Sequence, residues 1–130
     1  IDNYLYFWFR TIEKHLSNIH SETIQQHILE QEVPQALGYL FENECQRILR
    51  PFFDRTGVYF DKEIEIDIIG QKESTITCYE CKFSKNVNET QVMKSLKNKI
   101  ARLPEDYTYK LQILTMGNLE FLLEKSKQYR

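Results

Sequence analysis

Residues 63–84 constrain this chain more than any other stretch. They read EIEIDIIG, a polar break QKES, then TITCYECKFS. Two apolar-alternating runs around a short break are the pattern of a β-hairpin. In the first run the alternation points Ile64, Ile66 and Ile68 one way and Glu63, Glu65 and Asp67 the other. In the second, Glu80 and Lys82 share one face, and Tyr79, Cys81 and Phe83 take the opposite one. A carboxylate on one strand beside a carboxylate–lysine pair on the next is a set of groups from which a metal site can be built. The same pattern also suits a solvated hairpin surface carrying a cross-strand ion pair.

The chain has 130 residues, the size of one domain, and eight Phe, eight Tyr and one Trp can fill a core for it. The net charge of −2 gives no global field toward nucleic acid or anionic membrane, so any phosphate binding must be local. Three cysteines without disulfide-scaffold spacing favour a reducing, cytoplasmic setting. No apolar run approaches the ~20 residues of a membrane span, and no signal peptide is visible. The sequence opens with Ile in what reads as mid-helix, and so reads as a piece of a longer protein.

Before the hairpin, Leu5, Trp8, Phe9, Ile12 and Leu16 have helical spacing over residues 2–17, with Asp2 or Asn3 as cap. Their stripe is expected to pack onto the domain or onto a neighbour. A second helix is expected over 21–31, opened by Ser21. Val33-Pro34 should break it, and Pro34 suits the first turn of a third helix running to about residue 54, kinked or ended by Pro51. On that helix Glu42 stands about 100° from Phe41, at the border of the apolar stripe. After the hairpin come a helix over 89–102, a strand over 107–115 and a last helix from Gly117-Asn118, preceded overall by a short strand at 57–61. The order is helices, three strands, then helix–strand–helix, which favours an α/β fold with a mixed sheet and helices on both faces.

The order αβββαβ, with an acid on the helix before the strands, Asp67 on the second strand and Glu80-Cys81-Lys82 on the third, resembles the PD-(D/E)XK nuclease superfamily. More narrowly, GYLFENECQRIL, EIDIIG and YECKFS resemble the C-terminal domain of certain archaeal and bacterial AAA-type ATPases, the DUF234 family. The opening YLYFWFRTIEKH is similar to the segment where that family leaves its upstream winged-helix region. Ile66 stands before Asp67 where the superfamily motif has proline.

The resemblance implies a restriction-endonuclease-like domain, with residues 1–33 as a helical extension and 34–130 as the core. It implies metal-dependent hydrolysis of DNA phosphodiesters within a larger ATPase. Glu42, Asp67, Glu80 and Lys82 would be catalytic. Asp67, Glu80, the Cys81 carbonyl and Glu42 would hold Mg2+ or Mn2+, and Lys82 would position the attacking water or stabilise developing charge. Glu44 is a rival to Glu42 but lies about 200° around the helix from it. ATP hydrolysis is not expected from these residues, which lack a GxxxxGK[ST] loop. Two other readings stand beside this one: a non-catalytic module that binds nucleic acid or docks on the ATPase, and an oligomerisation domain built on the aromatic first helix.

The remaining candidates are blander. Cys78 and Cys81, three apart on a strand, face opposite ways and suit no shared zinc. Cys45 reads as a buried helix residue. His20 and His27 can share a helical face but read as polar surface. Lys85, Lys94, Lys97, Lys99 and Arg102 form a basic stretch, read as solvated helix surface or as phosphate contacts.

Overall fold

A computed structural model of the chain describes residues 3–84 and 87–126. The chain divides into two compact units, Ile1–Phe41 and Glu42–Arg130.

The first unit is helical. Helix α1 (Asn3–Phe7) runs on as a π-helical turn (Trp8–Ile12) and a 3-10 stretch (Glu13–Asn18). The buried Thr11 hydroxyl donates to the Phe7 carbonyl four residues back, a bond that competes with the helical ladder. Ser21 caps helix α2 (Glu22–His27), its hydroxyl oxygen accepting the Ile24 N–H at 3.5 Å. A second π turn (Ile28–Glu32) follows, in which the Val33 N–H reaches back to the Ile28 carbonyl, and it leads directly into helix α3 (Val33–Leu49). The break expected at Val33-Pro34 is therefore absent. Pro34 has no N–H to donate, and the widened turn just before it accommodates the proline without ending the helix. Of the aromatic stripe, Leu5, Trp8, Phe9 and Leu16 are exposed rather than packed within the chain, and Thr11 is the buried residue of that segment. The proposed cap Asp2 lies outside the described residues.

The second unit takes the last turns of α3 and closes them with a 3-10 turn, Arg50–Phe52, where Pro51 ends the helix as expected. Four strands follow in the expected order: β1 (Arg55–Phe60), β2 (Glu65–Lys72), β3 (Thr75–Cys81) and, after helix α4 (Glu89–Ile100), β4 (Thr108–Leu114); helix α5 (Met116–Ser126) closes the unit. The sheet order is β1-β2-β3-β4, antiparallel between β1, β2 and β3 and parallel between β3 and β4. This is a mixed sheet in an α/β unit, with α4 as the crossover. Asn88 caps α4 by accepting the Gln91 N–H at 3.1 Å.

The hairpin turns on Glu73-Ser74, and Glu73 takes a φ of 55°, the left-handed value that so short a loop demands. Its N–H donates to Asp54 at 3.0 Å, which ties the turn down. Adjacent residues of β3 are covered by different partners. Cys78 joins Ile66, Leu96 and Leu103 in a buried cluster on the α4 side. Tyr79 meets Phe53, ring centroids 6.1 Å apart and nearly perpendicular. Helices and turns thus cover both faces of the central strands.

Candidate functional site

The β1–β2 pairing carries a bulge. Gly57 pairs with Ile69 and Tyr59 with Ile66, so Val58 alone stands opposite Asp67 and Ile68. The bulge changes one expected facing. Ile66 and Ile69, an odd offset apart, both pack with the cluster around Leu96, which regular alternation would forbid. It also sits at Asp67, where such bulges re-aim side chains.

On the other side of β2 the ladder with β3 stops at Ile68–Tyr79. Beyond that point the Cys81 N–H donates to Asp67 Oδ2 at 2.9 Å, a side-chain oxygen in place of a strand carbonyl. Glu80 lies next to this junction, only 14% exposed in its side chain, with Lys82 Nζ at 3.8 Å and Lys99 Nζ at 3.4 Å. The Lys82 N–H donates to the Leu114 carbonyl at 2.8 Å, which carries the β3–β4 pairing one residue further.

Glu42, on the α3 segment of this unit, is pushed up to about 7, first by burial and then by the charges of Asp67, Glu65 and Glu80, with Lys82 opposing. Glu80 is raised too, by burial and by Asp67, against Lys99 and Lys82. Glu44, the rival acid, is engaged by Arg47 Nε at 3.0 Å on the helix surface. Beneath the junction, the Cys81 thiol is pushed well up by its hydrogen bond with Cys45 and by burial. Cys78, raised to about 11 by burial alone, belongs to the α4-side cluster, as the strand geometry anticipated.

Four carboxylates (Glu42, Glu65, Asp67 and Glu80) therefore share a region answered by two lysines. All-oxygen donors with excess negative charge suit a hard divalent cation. The donor atoms of Glu42, Asp67 and Glu80 are not all within 4.8 Å of one another; among the described residues, the set of three that meets that distance is His15, His27 and Glu32. His20, which by spacing can share a helical face with His27, is not part of it.

Sequence pattern alone misses two participants. Lys99 reads as part of a surface basic stretch, yet it reaches Glu80. Its position three residues after the buried Leu96 puts it on the inward face of α4, a signal present in the sequence. Glu65 shares the strand with Asp67 and acts on Glu42 through its charge. Of the remaining basic residues, Arg102 pairs with Glu63, Lys94 and Lys97 are exposed, and Lys85 lies outside the described residues.

Comparison with known sequences identifies the class. The DUF234 family model, described as archaea bacterial proteins of unknown function, matches residues 8–99. The chain belongs to this family. No curated protein and no solved structure gives a significant match. Among the described residues no helix is long and apolar enough to cross a membrane.

Proposed function

We propose that this chain is a restriction-endonuclease-like, PD-(D/E)XK domain that hydrolyses DNA phosphodiesters with a divalent metal ion, as the C-terminal part of a AAA-type ATPase. One observation carries the reading. Asp67 and Glu80-Cys81-Lys82 meet on adjacent antiparallel strands where their ladder ends, and the Glu42 carboxyl responds to the charge of both acids. The αβββαβ order and the mixed sheet support it.

Asp67, Glu80, Glu42 and the Cys81 carbonyl would hold Mg2+ or Mn2+, which supplies charge against the phosphate and a more acidic bound water. Lys82, its side chain 42% exposed beside Glu80, faces the site from its solvent side and stabilises charge developing on the phosphate. The carboxyl of Glu42, pushed up by burial and by the neighbouring acids, would be held ionised by a bound cation. The exposed Lys94 and Lys97 offer contacts to the phosphate backbone.

Incubation with supercoiled plasmid tests this. The expected result is nicking that requires Mg2+ or Mn2+ and is lost in Lys82→Ala while the far-UV circular dichroism is retained. No nicking with either ion, or equal nicking by Lys82→Ala, would sink the proposal. A second reading, a non-catalytic module that binds nucleic acid or docks on the ATPase, is favoured by one feature. Glu80 already has two lysine partners within 4 Å, so its charge is answered without a metal. Salt-sensitive DNA retention without cleavage, unchanged by Lys82→Ala, would support that reading instead.

A further inference from the structure

We propose that His15, His27 and Glu32 form a transition-metal site of the two-histidine, one-carboxylate kind, taking Zn2+ or a similar late divalent ion and stapling the first helical unit. It is independent of the carboxylate site in the second unit.

The three residues come from three separate turns. His15 lies in the 3-10 stretch, His27 ends α2, and Glu32 ends the second π turn. In a regular α-helix, residues five apart stand about 140° apart. The π turn between His27 and Glu32 winds more residues into each turn and brings the two to one side, in keeping with the frequent use of such turns at functional sites.

The Glu32 carboxylate sits between the rings, His15 Nε2 at 2.9 Å from Oε2 and His27 Nε2 at 3.4 Å from Oε1. The two rings are nearly perpendicular, centroids 6.0 Å apart. One donor atom from each residue lies within 4.8 Å of the others. Tetrahedral zinc, with bonds of about 2.0–2.1 Å, spaces its ligand atoms by roughly 3.4 Å. The 2.9 and 3.4 Å approaches are near that spacing but use different carboxylate oxygens, and with one donor atom from each residue no edge of the triangle exceeds it by more than about 1.4 Å.

Lys14 Nζ lies 2.7 Å from Glu32 Oε1, a cation that a bound metal ion would replace there. Imidazole nitrogen and carboxylate oxygen together are donors that late divalent ions accept. Lys14 is half-exposed and free to swing from Oε1 toward solvent, and the half-exposed His27 leaves one side of the site open for a water as fourth ligand. A metal joining residues 15, 27 and 32 would close a helical unit too small to bury much apolar surface.

Titration of the whole chain with Co2+ and Zn2+ tests the site. One equivalent should bind, with Co2+ giving a visible d–d spectrum free of a thiolate charge-transfer band. His27→Ala and Glu32→Gln should each lose at least about tenfold in affinity. Lys14→Met removes the competing cation and should tighten binding, a gain that misfolding cannot produce. Absence of binding at millimolar metal would leave an ion-pair cluster and overturn the proposal. So would a thiolate band, which would assign the ion to the cysteines. Binding untouched by His27→Ala but lost in Asp67→Ala would assign the ion to the second unit and overturn the proposal equally.

Discussion

Asp67 accepts the Cys81 amide hydrogen through Oδ2 at 2.9 Å, so one carboxylate both terminates the β2–β3 ladder and brings its charge to Glu80 and Glu42. These two roles separate by substitution. Asp67→Ala leaves the Cys81 N–H without its acceptor and should cost ~1–2 kcal/mol in urea unfolding. Asp67→Asn keeps an oxygen for that N–H and should cost less, although it removes the same charge. Equal losses in the two variants would show that the hydrogen bond contributes nothing.

Glu42 makes stability depend on pH. Its carboxyl rises from 4.5 to about 7 in the fold, so the native state holds this proton more tightly than the unfolded chain does. The stabilisation is present at low pH and is lost progressively between about pH 4.5 and 7. Glu42→Gln should therefore match wild type near pH 4 and exceed it at about pH 8. Glu42 is partly solvent-exposed, which screens the effect to the order of 1–2 kcal/mol. Denaturant midpoints across this range check the prediction, and a gain independent of pH would contradict it.

Lys99 links α4 to the site. In Lys99→Met, Glu80 keeps only the more distant Lys82, and its carboxyl should rise further above the usual range. The expected loss at neutral pH is ~1 kcal/mol. The loss should disappear in the Glu80→Gln background, because the mutated lysine then has no carboxylate to pair with. A full loss persisting there would make Lys99 a packing residue only.

Gly70 is required by a close approach. A Cβ at this position would stand 2.5 Å from Cδ2 of the Phe53 ring. Gly70→Ala should destabilise by ~1–3 kcal/mol through overpacking. Pairing it with Phe53→Leu, which removes the ring, should recover part of the loss. Urea unfolding of the two single variants and the double measures that coupling.

Local pattern reaches far into this protein. Alternation over residues 63–84 implies the hairpin, and the Ser21 cap and the Pro51 stop are readable from residue type and place. Asp67, Glu80 and Lys82 stand out by motif, and the sheet brings them to one junction. Where local pattern misleads, the reason is local too: Pro34 reads as a break, but a π turn widens the helix just ahead of it.

The remaining features depend on contacts between residues distant in sequence. The alternation that specifies a strand cannot say where its partner will skip a residue, so the bulge at Asp67–Ile68, and with it the shared packing of Ile66 and Ile69, belongs to the β1–β2 register. Helical periodicity marks Lys99 as inward, but only the β3–α4–β4 crossover delivers it to Glu80. His15, His27 and Glu32 carry no recognisable spacing, and folding of the first unit alone brings them within ligand distance. By itself, then, the sequence determined the elements and their order, because those follow from interactions among near neighbours. Only the tertiary structure decided which charges and ligands meet, because that rests on register, crossover and helix winding.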